Sequence, residues 1–70
     1  MDWIRTPESP NINQFAYDEN IQVLKFEYCT GNVYDFYDIP AHIFEAMRNA
    51  PSKGEFITQE IKGRYRYARV

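Results

Sequence analysis

Residues 21–38, I-Q-V-L-K-F-E-Y-C-T-G-N-V-Y-D-F-Y-D, carry the clearest periodicity in the chain. Leu24, Phe26 and Tyr28 fall on one face of an extended segment and Lys25 and Glu27 on the other, the pattern of a half-buried strand. Thr30-Gly31-Asn32 is turn chemistry, with Gly31 free to take a positive φ. Residues 33–38 form the next strand. A three-residue loop sets Tyr34 and Phe36 beside Phe26 and Tyr28, whereas an even loop would bring Asp35 there, so burial selects the odd register.

Upstream, residues 12–18 alternate loosely through Ile12, Phe15 and Tyr17, and Asp18-Glu19-Asn20 is a turn. These segments predict a three-stranded antiparallel meander. Residues 1–10 have no period and hold Pro7 and Pro10, so they read as an extended N-terminal arm. Trp3 and Ile4 on that arm are expected to tuck against the domain rather than to dock a partner, because large apolar groups are seldom left exposed on a monomer.

Downstream, Pro40 stops the strand and suits the first position of a helix, and Asp38 lies just ahead where negative charge is favourable. Residues 41–49 place Ile43, Phe44 and Met47 on one stripe, with Glu45 and Arg48 off it. Pro51 ends this helix. Ser52 and Glu55 then make a capping box, Phe56, Ile57 and Ile61 form the apolar side of a second helix, and Gly63 closes it. Residues 64–70 lack a helical period and are expected to run extended. The predicted fold is α+β: a three-stranded antiparallel β-meander, two short α-helices packed on one face, and an extended C-terminal tail. Residues 11–70 form a single domain, with Phe15, Leu24, Phe26, Phe36, Ile43, Phe44, Met47, Phe56, Ile57 and Ile61 in its core.

A chain of 70 residues has little surface to bury, and its twelve aromatic residues (six Tyr, five Phe, one Trp) supply much of the area available. The single cysteine, Cys29, allows no internal disulfide and has no His at metal-ligand spacing, which fits a reducing, cytoplasmic compartment. No apolar run approaches the ~20 residues of a membrane span. The net charge of −2 is unevenly spread. Residues 1–52 carry three basic against eight acidic side chains, and residues 53–70 carry five basic against two acidic.

No catalytic constellation stands out. Cys29 has no recognisable base, His42 sits alone in a first helical turn, and Asp35 and Asp38 beside a turn and a helix start need no catalytic explanation. The basic end is more informative. Ser52-Lys53-Gly54 opens a helix, where free N–H groups and the Lys53 ammonium suit a phosphate. Lys62, Arg64 and Arg66 follow the other end, and Tyr65 and Tyr67 alternate with the arginines, so rings and guanidinium groups face opposite ways in extended chain. Rings of this kind stack on unpaired bases while Arg contacts phosphate. The competing reading is structural: Ser52 and Glu55 cap a helix, the two tyrosines pin the tail, and the arginines pair with the acidic front half.

From about Ser9 onward the chain resembles the KTSC domain, a small family named for its occurrence at the C-terminus of some lysyl-tRNA synthetases. The resemblance lies in A-Y-D at 16–18, G-N-V-Y-D-F-Y-D-I-P-A at 31–41, A-P-S-K-G-E-F at 50–56 and I-K-G-R-Y-R-Y-A-R-V at 61–70. The family's Y-x-Y signature falls on Tyr34 and Phe36, so here the second hydroxyl is absent and a packing role is retained. The resemblance implies a free-standing single-domain member, and the family's company with a tRNA synthetase suggests RNA binding. The expectation is a non-catalytic module, not an enzyme, that takes tRNA or single-stranded RNA on Lys53, Lys62, Arg64, Tyr65, Arg66, Tyr67 and Arg69. The alternative is a protein-interaction module without a nucleic-acid ligand, docking another chain by strand addition at an open sheet edge. No metal, cofactor or membrane contact is expected.

Overall fold

The computed structural model describes residues 2–70. Five strands form one sheet in the order of the chain: β1 (Ile4–Arg5), β2 (Ile12–Asp18), β3 (Val23–Tyr28), β4 (Val33–Phe36) and β5 (Tyr67–Arg69). All neighbours are antiparallel. Helix α1 (Ala41–Arg48) and helix α2 (Lys53–Phe56), which runs into a π-helical turn at Ile57–Ile61, lie between β4 and β5 in the chain. The class is α+β as expected, but the sheet has five strands where three were predicted. The two additional strands are short segments at the sheet edges, one in the proline-flanked arm and one in the tail. Each satisfies its main-chain groups by long-range pairing that local periodicity does not encode.

The central hairpin follows the odd register. Leu24 pairs with Phe36 and Phe26 with Tyr34, so these side chains share a face. Gly31 takes φ +95 in the connecting turn, a left-handed conformation that costs glycine little. The loose alternation of β2 has a physical cause. A bulge between Ile12 and Gln14 shifts the register, so Ile12 and Phe15, three residues apart, both reach the core at 0% exposure.

The core gathers Ile12, Phe15, Leu24, Phe26, Phe36 and Ile39 from the sheet side, and Phe44, Met47, Ile57 and Ile61 from the helices. Phe26 lies at its centre, stacked on Phe36 at 5.1 Å and edge-on to Tyr28 at 5.3 Å. Phe44 of α1 stacks on Tyr17 at 4.5 Å and meets Phe15 edge-on at 5.9 Å, which fixes that helix to β2. Ile43 and Phe56, expected inside, are only half-buried, while Ile12, Ile39 and Thr6 are fully buried. Thr6 is the anchor of the arm: its hydroxyl donates to the Ile12 carbonyl and its N–H to the Asn13 carbonyl. The neighbouring Trp3 and Ile4 remain 41% exposed, so they tuck only in part.

Pro40 stands as the N-cap of α1, one position ahead of the first helical residue. Only half of the predicted capping box forms in α2. The Ser52 Oγ accepts from the Glu55 N–H at 3.3 Å, whereas the Glu55 carboxylate takes the Gln59 amide at 3.1 Å. Lys62 N–H donates to the Ile57 carbonyl at 2.7 Å, which closes the π turn, and Gly63 ends the segment at φ +82.

The sheet face away from the helices is polar. Lys25 pairs with Asp35 at 3.6 Å across β3 and β4, and the Glu27 carboxylate accepts from Asn13 and Gln14 at 3.1 and 2.9 Å. The Asn13 amide first, then Gln14, with a smaller contribution from Arg5, hold the Glu27 carboxyl below its usual value of 4.5. Its folded-state value is depressed, so the associated stability is present above the unfolded value and is lost as pH falls through the lower folded one. Asn13→Ala is expected to raise the Glu27 titration midpoint toward 4.5, read from its side-chain carboxyl shift by NMR. An unmoved midpoint would show that the amide is not the cause.

Candidate nucleic-acid interface

The tail residues singled out in the sequence separate onto two faces once β5 joins the sheet. Tyr67 pairs with Phe36 and Arg69 with Tyr34, which places both on the helix-bearing face. Tyr67 stacks on Phe36 at 5.1 Å, meets Tyr34 at 5.9 Å and is still 57% exposed. Arg66 turns to the opposite face, where it bonds Asp38 at 3.3 Å and lies 5.6 Å from the Tyr37 ring. Asp38 takes φ 59, a left-handed conformation that aspartate tolerates better than most residues. Tyr65 is half-buried against the core. Arg64 meets Glu60 at 4.0 Å, one turn back along the exposed helix surface.

Lys53 is withdrawn from the others. Its ammonium reaches the Glu8 carboxylate at 3.6 Å and the Ala50 carbonyl at 3.4 Å, and its side chain is only 15% exposed. The helix mouth is therefore occupied by the protein's own groups, Ser52 capping the backbone and Glu8 neutralising Lys53.

What the fold assembles instead is an aromatic strip. Tyr28 of β3 meets Tyr34 of β4 edge-on at 5.5 Å, and Tyr34 meets Tyr67 of β5 at 5.9 Å. Tyr28 and Tyr34 are half-buried and pack against the core. One cation stands at the Tyr28 end and another beside the middle ring. Lys62, just past the π turn, holds its ammonium 5.7 Å from the Tyr28 ring centre, and Arg69 flanks Tyr34 across the β4–β5 ladder. Among the described residues neither Lys62 nor Arg69 has a carboxylate within ion-pair distance. The sequence marked Lys62, Tyr67 and Arg69 but assigned Tyr28 and Tyr34 no binding role. Their alternation with Phe26 and Phe36 was the available signal, and it reads equally well as core.

Elsewhere, Cys29 is exposed and its thiol donates to Asn13 Oδ1 at 3.2 Å. His42 is exposed on the first turn of α1. Among the described residues no three or more His, Cys, Asp or Glu side chains are placed to hold a metal ion, and no helix is long and apolar enough to cross a membrane.

With this geometry in view, similarity to known proteins places the chain. The profile of the KTSC domain matches residues 8–65, and the protein belongs to that family. It is 36% identical over 64 residues to a lysine–tRNA ligase of Nostoc punctiforme, a match that takes in 91% of this chain and 11% of the ligase. The chain thus spans about a tenth of the ligases it matches. An uncharacterised protein of Stutzerimonas stutzeri is 30% identical over 64 residues, with 90% of each chain covered. The crystal structure of a KTSC domain protein from Yersinia pestis superposes with a TM-score of 0.90 over 99% of this chain and 96% of that one, at 23% identity. At that identity it attests the shared fold.

Proposed function

We propose that this domain is a non-catalytic RNA-binding module of the cytoplasm that holds a single-stranded segment, free or within a tRNA, on the Tyr28–Tyr34–Tyr67 strip. The observation that carries this reading is the strip itself: three adjoining tyrosines, two half-buried and one exposed, with Lys62 at the Tyr28 end and Arg69 beside Tyr34, neither cation ion-paired among the described residues. Bases stack on such rings whatever their identity, and Lys62 and Arg69 meet the phosphates between them. Arg64 and Arg66, exposed and only loosely paired, add charge at the periphery, and Tyr65 braces the segment from beneath. Lys53 contributes least, being neutralised by Glu8. Kinship with a segment of a lysine–tRNA ligase supports RNA as the partner.

The test is titration of a labelled single-stranded RNA and a labelled tRNA at several salt concentrations. Two to four phosphate contacts predict a log–log slope of ~−1.4 to −2.8 for a single strand. Absence of binding at low salt, by protein shown to be folded, would end the reading.

A second reading has its own observation. Arg66, Ala68 and Val70 direct their main-chain groups to β4, as the bonds from Tyr37 N–H to the Arg66 carbonyl and from Val70 N–H to the Val33 carbonyl show. The alternation of an antiparallel ladder then turns the N–H and C=O of Tyr67 and Arg69 outward. That open edge accepts an extended peptide strand. Such a partner would protect the Tyr67 and Arg69 amides from hydrogen exchange and would bind with little salt dependence.

A further inference from the structure

Beside the strip lies a cleft of about 230 Å³ between the open end of the β2–β3 pair, where the β3–β4 turn begins, and the helical segment. Asn11, Tyr28, Cys29 and Thr30 line one wall, and Gly54, Thr58 and Lys62 the other. Two local features shape it. Gly54 packs beside Asn11, where a Cβ built on it would stand in ordinary contact at 3.5 Å from Asn11 Cβ and 3.6 Å from Asn11 Nδ2. Thr58 within the π turn and Lys62 just after it, four residues apart, both line the cleft.

The chemistry of the lining is one-sided. It offers an ammonium at Lys62, an amide at Asn11, hydroxyl groups at Thr30 and Thr58, the Tyr28 ring and a Cys29 thiol that is engaged with Asn13, and no carboxylate lines it although the chain is net acidic. The Thr58 hydroxyl is engaged with the Gly54 carbonyl at 3.0 Å. Lys62, Asn11 and Thr30 are exposed at the cleft and their side chains form no ion pair among the described residues. A donor-rich cleft with one cation suits a compact anion, and oxygen acceptors on several sides fit it better than a planar carboxylate does. Clefts that take a whole drug-sized ligand measure ~300–1,000 Å³, so this one suits a phosphoryl group with its sugar rather than a complete nucleotide.

We infer that this cleft is a phosphoryl-anion subsite, with Lys62 as its charge and Asn11 and Thr30 as its neutral donors. Because Tyr28 forms both its wall and one end of the strip, a sugar-phosphate seated in the cleft would deliver the attached base toward Tyr34. The chemistry of the subsite stands apart from the RNA reading, which supplies only the source of the phosphate.

Amide and side-chain NMR separates the two. Inorganic phosphate and adenosine 5′-monophosphate are titrated into the protein, its Lys62→Gln variant and its Arg48→Gln variant. Arg48→Gln removes the same charge from a residue of α1 that neither lines the cleft nor belongs to the proposed RNA-binding set. The expected result is saturable shifts centred on Asn11, Thr30, Thr58 and Lys62, weakened at least tenfold by Lys62→Gln and unchanged by Arg48→Gln. A parallel arm compares a 5′-phosphorylated with a 5′-hydroxyl oligoribonucleotide. Saturable phosphate binding in the cleft without oligonucleotide binding upholds the subsite and removes RNA as the source. Oligonucleotide shifts confined to Tyr34 and Tyr67, with none from phosphate, overturn the subsite and leave the strip standing. Phosphate shifts scattered over Lys53, Arg64 and Arg66, or equal loss in both variants, also overturn it.

Discussion

Phe26→Ala is expected to leave little folded protein at room temperature. Phe26 is fully buried at the middle of the sheet, between Phe15 on β2 and Tyr34 on β4, and packs on Phe36 and Tyr28. Removing a buried phenylalanine ring typically costs ~3–5 kcal/mol, because the cavity left behind closes only in part. At ~0.05–0.15 kcal/mol per residue, a domain of this length has roughly 3.5–10 kcal/mol of stability in all. The loss is therefore comparable with the total, and a helical layer this thin has few other contacts to compensate. Urea denaturation followed by circular dichroism would show either no cooperative transition or a midpoint reduced by half or more. A midpoint near that of the parent would mean that the ring is not the packing centre.

Tyr67→Ala combined with Arg69→Glu is expected to act in the opposite way, abolishing most RNA binding while sparing the fold. Tyr67 is more than half exposed and Arg69 is exposed, and both stand on an edge strand. Loss of one base-stacking ring is worth ~1–3 kcal/mol, or roughly 5- to 150-fold in affinity. The reversed charge at residue 69 also removes a phosphate contact, which should flatten the salt slope by ~0.7 for a single strand. Arg66→Glu, on the far face beside Asp38, is expected to cost less. Equal losses from the two changes would mean that the tail binds as a diffuse basic segment and that the strip is not the platform.

The contrast between these variants shows what the sequence revealed and what it withheld. The β3–β4 hairpin was legible because its apolar and charged residues alternate strictly, and burial then permitted a single register. The bulge at Ile12–Gln14 blurs the same signal in β2, so the alternation marks Ile12 as a strand former but does not assign it to the core. Strands β1 and β5 could not be recovered locally. Arg64 to Tyr67 alternates charge with aromatic rings, and both kinds of side chain tolerate exposure, so nothing in the run distinguishes a free tail from a sheet edge. The π turn was hidden for another reason: Ile57 and Ile61 have a spacing that an ordinary helix also satisfies. At the site, three residues of the strip and its flanks were marked in advance. Tyr28 and Tyr34 were not, because their exposure depends on where the helical layer stops, a property of the assembled domain.

The strand order also gives the domain a polarity of attachment. Beginning at β1 and finishing at β5, the polypeptide enters and leaves at opposite edges of the sheet, four strand spacings or ~19 Å apart. A fluorophore, an affinity tag or a larger neighbouring domain joined ahead of β1 would sit across the sheet from Tyr67. The same attachment after Val70 would crowd the edge strand and its exposed ring. Immobilising the protein through its amino-terminal side should thus preserve ligand access, and capture through the carboxyl-terminal side should obstruct it.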